Sequence, residues 1–263
     1  MSNKFNAIFV SDVHLGVKHT NIKKLNKFLK SLESPPEYIY LVGDIIDGWK
    51  LQRRWYWTAD CDEFIKTILH LKRSGSKVVY VYGNHDMFLQ NFRIQGGDIE
   101  VTDEAIHQTV NGKKMLVIHG DKFDKVIRFN KVLTFIGDIC YNLTVSMNVK
   151  INQIKYYFGC KNNWSFSKFI KSSLKDVCMY ISCFEEVVCK YAKEQGCDMA
   201  VCGHIHQPCV KKVKDTMYYN CGDWRENATL IVEETNGDFK LLDLENENFN
   251  TESRLFATKC NVQ

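Results

Sequence analysis

No Cys-x-x-Cys pair occurs among the eleven cysteines of this 263-residue chain. That spacing argues against a zinc-ribbon fold or a redox motif. With no export signal either, the thiols are expected to be reduced and mostly buried. A long apolar run is missing too. The best stretch, Val132 to Val149, is broken by Asp138 and holds Asn142 and Asn148, short of the ~20 apolar residues a spanning helix needs. Met1 to Ser11 lacks a cleavable apolar core and runs straight into a strand, so no leader is expected. Charge excess is lacking as well. A formal net charge of +4 tolerates phosphate-bearing substrates but is not that of a nucleic-acid coating protein. No internal repeat or low-complexity tract appears.

What is present is an alternation of apolar strands and amphipathic helices. Ala7–Val10, Tyr38–Val42, Val78–Tyr82, Lys114–Ile118 and Asp198–Cys202 read as buried strands. Helices are predicted over Asn21–Glu33, stopped by Ser34-Pro35-Pro36, and over Thr58–Ser74, stopped by Gly75. A longer amphipathic helix is predicted from Leu174 to Gln195. Such alternation implies right-handed crossovers and a largely parallel α/β core. Residues 123–175 break it and read as a basic, aromatic, helical cap inserted in one domain spanning 1–245. Thr216–Asp243 reads as three antiparallel strands with a turn at Asn236-Gly237-Asp238. Residues 246–263 form a polar tail.

Five short motifs follow the strands: Asp12-Val13-His14, Gly43-Asp44, Gly83-Asn84-His85-Asp86, His119-Gly120-Asp121 and Gly203-His204-Ile205-His206. In parallel sheets the carboxyl ends of the strands gather ligands. Carboxylates, imidazoles and one amide, with no sulfur, suit hard or borderline divalent ions. Two such ions neutralise phosphoryl charge and activate water, the two needs of phosphoester hydrolysis. Any one motif alone reads as a cap, a turn or an ordinary histidine; five in series do not.

The order and wording of these motifs resemble the calcineurin-like metallophosphoesterase family, over Ser11 to about Trp224. The resemblance implies a metallophosphoesterase-type β-sandwich flanked by helices. It implies two divalent ions, Mn²⁺ first, with Fe²⁺, Zn²⁺ or Mg²⁺ as alternatives. Asp12, His14, Asp44 and His206 would hold one ion. Asp44 would bridge to a second, held also by Asn84, His119 and His204. His85 would be the general acid to the leaving oxygen, with Asp86 orienting it. Asp47 and Asp121 are expected to be turn or supporting residues, and Asn220 is expected to orient a ligand histidine.

A finer resemblance runs to bacterial UDP-2,3-diacylglucosamine diphosphatases, through Gly43-Asp44-Ile45-Ile46-Asp47-Gly48-Trp49, His119-Gly120-Asp121 and Gly203-His204-Ile205-His206. It implies a nucleotide-lipid pyrophosphate substrate from lipid A biosynthesis and acyl chains held by the Phe129–Phe169 region. It also implies a cytoplasmic protein peripheral to the inner membrane. One departure is His85, where those enzymes carry arginine. A phosphodiesterase acting on nucleotides or other small diesters, or a non-catalytic binding scaffold of the same fold, stays open as an alternative. Arg53, Arg54 and Trp55 are candidates for substrate contact, since guanidinium forks match phosphate and flat rings stack on bases or line acyl grooves. No dedicated nucleic-acid binding is expected.

Overall fold

A computed structural model describes residues 4–91, 99–125, 127 and 166–245. In chain order the elements are β1 (Phe5–Val10), α1 (Ile22–Lys30), β2 (Tyr38–Val42), α2 (Gly48–Arg53), α3 (Ala59–Arg73) and β3 (Lys77–Val81). A 3-10 turn (Met87–Asn91) leads to β4 (Glu100–Thr102), β5 (Glu104–Gln108) and β6 (Lys114–Ile118). Then come α4 (Phe166–Glu194), β7 (Met199–Cys202), β8 (Cys209–Val213), β9 (Thr216–Asn220), β10 (Thr229–Glu234) and β11 (Phe239–Asp243).

The strands form two sheets, β11-β10-β1-β2-β3-β4 and β5-β6-β7-β9-β8. β1 to β4 run parallel, as do β6, β7 and β9. Strand side chains alternate between two cores. Ala7, Phe9, Tyr40, Val42, Val79 and Val81 pack with Met115, Val117 and Val201 of the second sheet. Ile8, Val10, Ile39, Leu41, Val78 and Tyr80 pack with Leu25, Phe28, Phe64 and Ile68 of α1 and α3. Burying both faces explains why these strands read as near-continuous apolar runs.

Two expectations need correction. The three tail strands are not one antiparallel meander. β9 pairs parallel with β7 in the second sheet, whereas β10 and β11 join β1 in the first. The Asn236-Gly237-Asp238 turn does close the β10–β11 pair, with Gly237 at φ +83°. The long helix begins at Phe166, eight residues before the expected start. Two compact units divide the chain, Met1–Asp121 with Val188–Gln263, and Lys122–Val187. Within the second unit the Tyr180 hydroxyl donates to Asp124 at 2.7 Å. Most of the expected cap over 123–175, including residues 129–165 of its acyl-holding region, and the tail after 245 lie outside the described residues, apart from the described helix that starts at Phe166.

Candidate metal centre

The motif residues stand where parallel strands end. Asp12 and His14 follow β1, Asp44 follows β2, Asn84 and His85 follow β3, His119 follows β6, and His204 and His206 follow β7. Backbone bonds zip the first two loops together: Asp12 N to Gly43 O, His14 N to Asp44 O, Leu15 N to Ile45 O. Gly83 and Gly203 admit close approach. A Cβ on Gly83 would collide with the Asp44 carboxylate and the His119 ring, and one on Gly203 with the Asp12 carboxylate.

Three overlapping groups of ligand atoms each fall within 4.8 Å: Asp12, His14 and His206; Asp12, Asp44 and His119; and His14, Asp47 and His85. His206 Nε2 lies 3.1 Å from Asp12 Oδ1, and His119 Nε2 lies 3.3 Å from Asp44 Oδ2. The ring of His204 is 5.2 Å from that of His119. Asp12, His14, Asp44, His204 and His206 all have positive φ, between 50° and 67°. Left-handed backbone at non-glycine residues costs of order 1–3 kcal/mol each and clusters at functional sites.

The donor set fits divalent cations. Asp12 Oδ1, Asn84 Oδ1 and His119 Nε2 are buried yet make no hydrogen bond. Buried polar atoms are rarely left so. Asp12 and Asp44 are buried carboxylates that require positive charge nearby. Burial alone would raise the Asp44 carboxyl, but the His119 imidazole holds it well below the usual carboxylate range. Burial likewise opposes protonation of His119 and His206, yet neighbouring Asp44, and Asp12 with Asp223, push each up to about 10. The pocket thus draws in cations, a demand that metal ions would meet directly.

Supporting contacts fix the imidazoles. His119 Nδ1 lies 3.1 Å from Val42 O, which leaves Nε2 for a metal. His206 Nδ1 lies 3.2 Å from Asp223 Oδ2. Sequence reasoning reads Asn220–Trp224 as the floor of the site but gives Asp223 no role of its own; it follows β9, a strand whose place in the second sheet was not foreseen. Asn220 does not orient a histidine side chain. It donates to Gly203 O at 2.8 Å and accepts from Gly222 N at 2.9 Å, so it braces two turns.

Asp86 is also not the partner of His85. Its carboxylate turns into the core and accepts from Tyr80 OH at 2.6 Å, Ile45 N at 2.8 Å and Gly83 N at 2.5 Å. The carboxylate beside His85 is Asp47, with Oδ1 3.1 Å from Nδ1. Asp47 Oδ2 also lies 3.4 Å from His14 Nδ1, and Oδ1 caps α2 by accepting from Lys50 N. Burial would raise the Asp47 carboxyl, but contacts with His14 and His85 hold it well below the ordinary range. The other face of His85 meets Trp49, ring centroids 4.1 Å apart. The Asp44-x-x-Asp47 spacing was the available signal. Arg53, Arg54 and Trp55 stand exposed at and after the end of α2. The indole of Trp49 packs against His85.

A model of the calcineurin-like phosphoesterases matches residues 5–208. The chain belongs to that family. It is a phosphoester hydrolase, and the family's divalent metals have candidate ligands in the clusters above. Among curated proteins it is similar to the UDP-2,3-diacylglucosamine hydrolase of Wigglesworthia glossinidia brevipalpis, 21% identical over 85% of this chain and 89% of that one. The enzyme of the same name from Coxiella burnetii is 23% identical over 89% of this chain and 96% of its own. The Vibrio vulnificus one is 29% identical over 43% and 46%. Among solved structures, a phosphoesterase from E. coli aligns with 91% of this chain and 93% of its own, at 13% identity and a TM-score of 0.45.

Proposed function

We propose that this phosphoesterase binds two divalent ions and hydrolyses the pyrophosphate of a nucleotide-linked lipid of the UDP-2,3-diacylglucosamine kind. The observation that carries the chemistry is the set of buried, unsatisfied ligand atoms at the strand ends, Asp12 Oδ1, Asn84 Oδ1 and His119 Nε2. Asp12, His14, Asp44 and His206 would hold one ion, and Asp44, Asn84, His119 and His204 the other. When bound, the ions neutralise phosphoryl charge and make water acidic enough to attack. Relatives named UDP-2,3-diacylglucosamine hydrolase, aligned over most of the chain, support the substrate class.

His85 is the proton donor in this reading. Asp47 at Nδ1 and Trp49 on its face set the ring, which leaves Nε2 to protonate the departing phosphate oxygen. Burial would lower its pKa, but Asp47 and Asp44 raise it above the ordinary histidine value and favour the donor form. Water adds its oxygen to phosphorus and gives up a proton to solvent, the bridging P–O bond breaks, and the departing phosphate oxygen takes the proton of His85, leaving UMP and the lipid phosphate. In this reading the protein works in the cytoplasm, peripheral to the inner membrane. No described helix is long and apolar enough to cross a membrane.

His85, in place of the arginine of the resembled diphosphatases, favours a second reading, a phosphodiesterase for small diesters. The test is UMP release from UDP-2,3-diacylglucosamine by Mn²⁺-loaded protein against a metal-stripped control. Metal-dependent UMP supports the lipid pyrophosphate. Cleavage of only a generic phosphodiester selects the second reading, and inactivity on both overturns the enzymatic assignment of this site.

A further inference from the structure

The candidate ligands gather at the carboxyl ends of the parallel strands; a separate cavity opens at their amino ends. Its volume is about 620 Å³, and it lies where Tyr38, Lys77 and Glu100, the first residues of β2, β3 and β4, face β5. The five residues of β3 put roughly 15 Å between the two ends, and none of the clustered candidate ligands lines this cavity. Strand register sets its wall. Tyr38 lies beside Lys77, and Tyr40 lies beside Val79 and Glu100, on the face that packs toward the second sheet. Three near-parallel rings run along this wall. Phe9 and Tyr40 have centroids 4.9 Å apart and planes inclined by 5°; Tyr40 and Tyr38 are 5.9 Å apart and inclined by 10°. Tyr38 is the outermost ring, half-buried and lining the cavity. Lys77 Nζ stands at its edge, 3.3 Å from the hydroxyl. Lys72, from the last turn of α3, and the exposed Glu100 complete the rim. Neither the Lys72 amine nor the Glu100 carboxylate makes an ion pair or hydrogen bond among the described residues.

We infer that this cavity is a second ligand site, for a nucleoside monophosphate that carries an amino-bearing purine. A cavity of this size suits one such ligand. An amine and a carboxylate that share a cavity without pairing leave one place for an anion and another for N–H donors. A flat base continues the ring stack on Tyr38, since every base has a face that stacks on an aromatic side chain. Glu100 can only accept, so it selects a ring with N–H groups along its edge. Guanine turns adjacent N1–H and N2–H groups toward a carboxylate's paired oxygens, whereas uracil has a single ring N–H to offer. Lys72 and Lys77 then meet the phosphate as point charges. This site does not rest on the proposed reaction, because neither its residues nor its preferred base belong to the proposed substrate.

The test is calorimetric titration of the full Mn²⁺-loaded chain with GMP, UMP and ribose 5-phosphate. GMP should bind at least about 5-fold more tightly than ribose 5-phosphate, which lacks the stacking base. Its affinity should be unchanged in Asp44→Ala, a variant in which a monophosphate held by metal ions would be lost, and there GMP should bind more tightly than UMP. Tyr38→Ala should weaken GMP binding roughly 5- to 100-fold. Glu100→Gln should weaken it about 10-fold or more. Glu100 is exposed, so that variant keeps the test sound if Tyr38→Ala folds poorly. No binding of GMP at millimolar concentration, loss of binding in Asp44→Ala, or equal affinity for ribose 5-phosphate overturns the inference. Indifference to either substitution in folded protein overturns it too. Release of UMP from the lipid substrate is a separate measurement, so this site can fail while the proposed function stands.

Discussion

Among the described residues, two buried histidine–carboxylate clusters are built oppositely. In the core, His107 of β5 is fully buried, with Nδ1 3.1 Å from Tyr40 OH and Nε2 2.9 Å from Glu233 Oε2. The second oxygen of Glu233 accepts from Val110 N at 2.8 Å. No side-chain nitrogen or oxygen of His107, Tyr40 or Glu233 lacks a partner, and none of the three residues has a left-handed backbone. At the strand ends, His119 is equally buried, yet its Nε2 has no hydrogen bond, and Asp12 Oδ1 and Asn84 Oδ1 share that state. There the backbone is left-handed at five non-glycine positions. Residue type does not separate the clusters. Satisfaction does: a closed network is structure, and an open one awaits a ligand.

That contrast breaks down if the wrong cluster responds to metal. Asp44→Ala should cut kcat/KM by about 10³-fold or more and abolish metal uptake, since the transition-state charge it helps the ions offset is worth several kcal/mol. His85→Ala should lower kcat by roughly 10²–10⁴-fold with metal content unchanged, as expected for a lost proton donor. Elemental analysis beside the kinetics checks both. Asp223→Asn, which loosens only the His206 imidazole, should weaken metal affinity by about 10–100-fold in calorimetric titration.

The core cluster should answer in stability alone. Glu233→Gln should cost about 3–5 kcal/mol in denaturant unfolding, because it leaves a buried partner uncompensated, with metal affinity intact. Burial would raise the Glu233 carboxyl, but His107, Asn6 and Val110 lower it below its ordinary value. A depressed folded pKa contributes stability that is complete above the unfolded value, about 4.5, and is lost as pH falls through the folded one. Acid unfolding of the wild type should therefore show a loss below pH ~4.5 that Glu233→Gln lacks. A smaller effect of Glu233→Gln than of Asp223→Asn on metal binding would sharpen the comparison; the reverse would undo it.

Several strands and helices were legible because local pattern and burial agree. β2 and β6 occur over the residues that read as strands, and α3 lies within one residue of its predicted span at each end. β4, with three residues, and β5, half exposed, offer no apolar run. β8 is similarly half-buried. α2 is six residues long, begins at a glycine and buries little, so no helical periodicity announces it. The place of β9 depends on pairing with β7, which no local window contains.

In the site, the seven candidate ligands stood out because each follows a strand. Their supporting residues did not. Asp86 adjoins His85 in sequence, but the turn after β3 sends its carboxylate to Gly83, Ile45 and Tyr80. Asp47, 38 positions before His85, reaches it because the loops after β2 and β3 meet, as the bond from Gly48 N to His85 O records. Adjacency along the chain is a poor guide wherever a tight turn reverses side-chain direction.

The most direct measurement is metal stoichiometry and affinity for Mn²⁺ by elemental analysis and calorimetry, on the wild type and on Asp44→Ala. Two ions per chain are expected in the wild type, with loss of tight binding in the variant. Binding that survives Asp44→Ala unchanged, or no binding by the wild type, would contradict it.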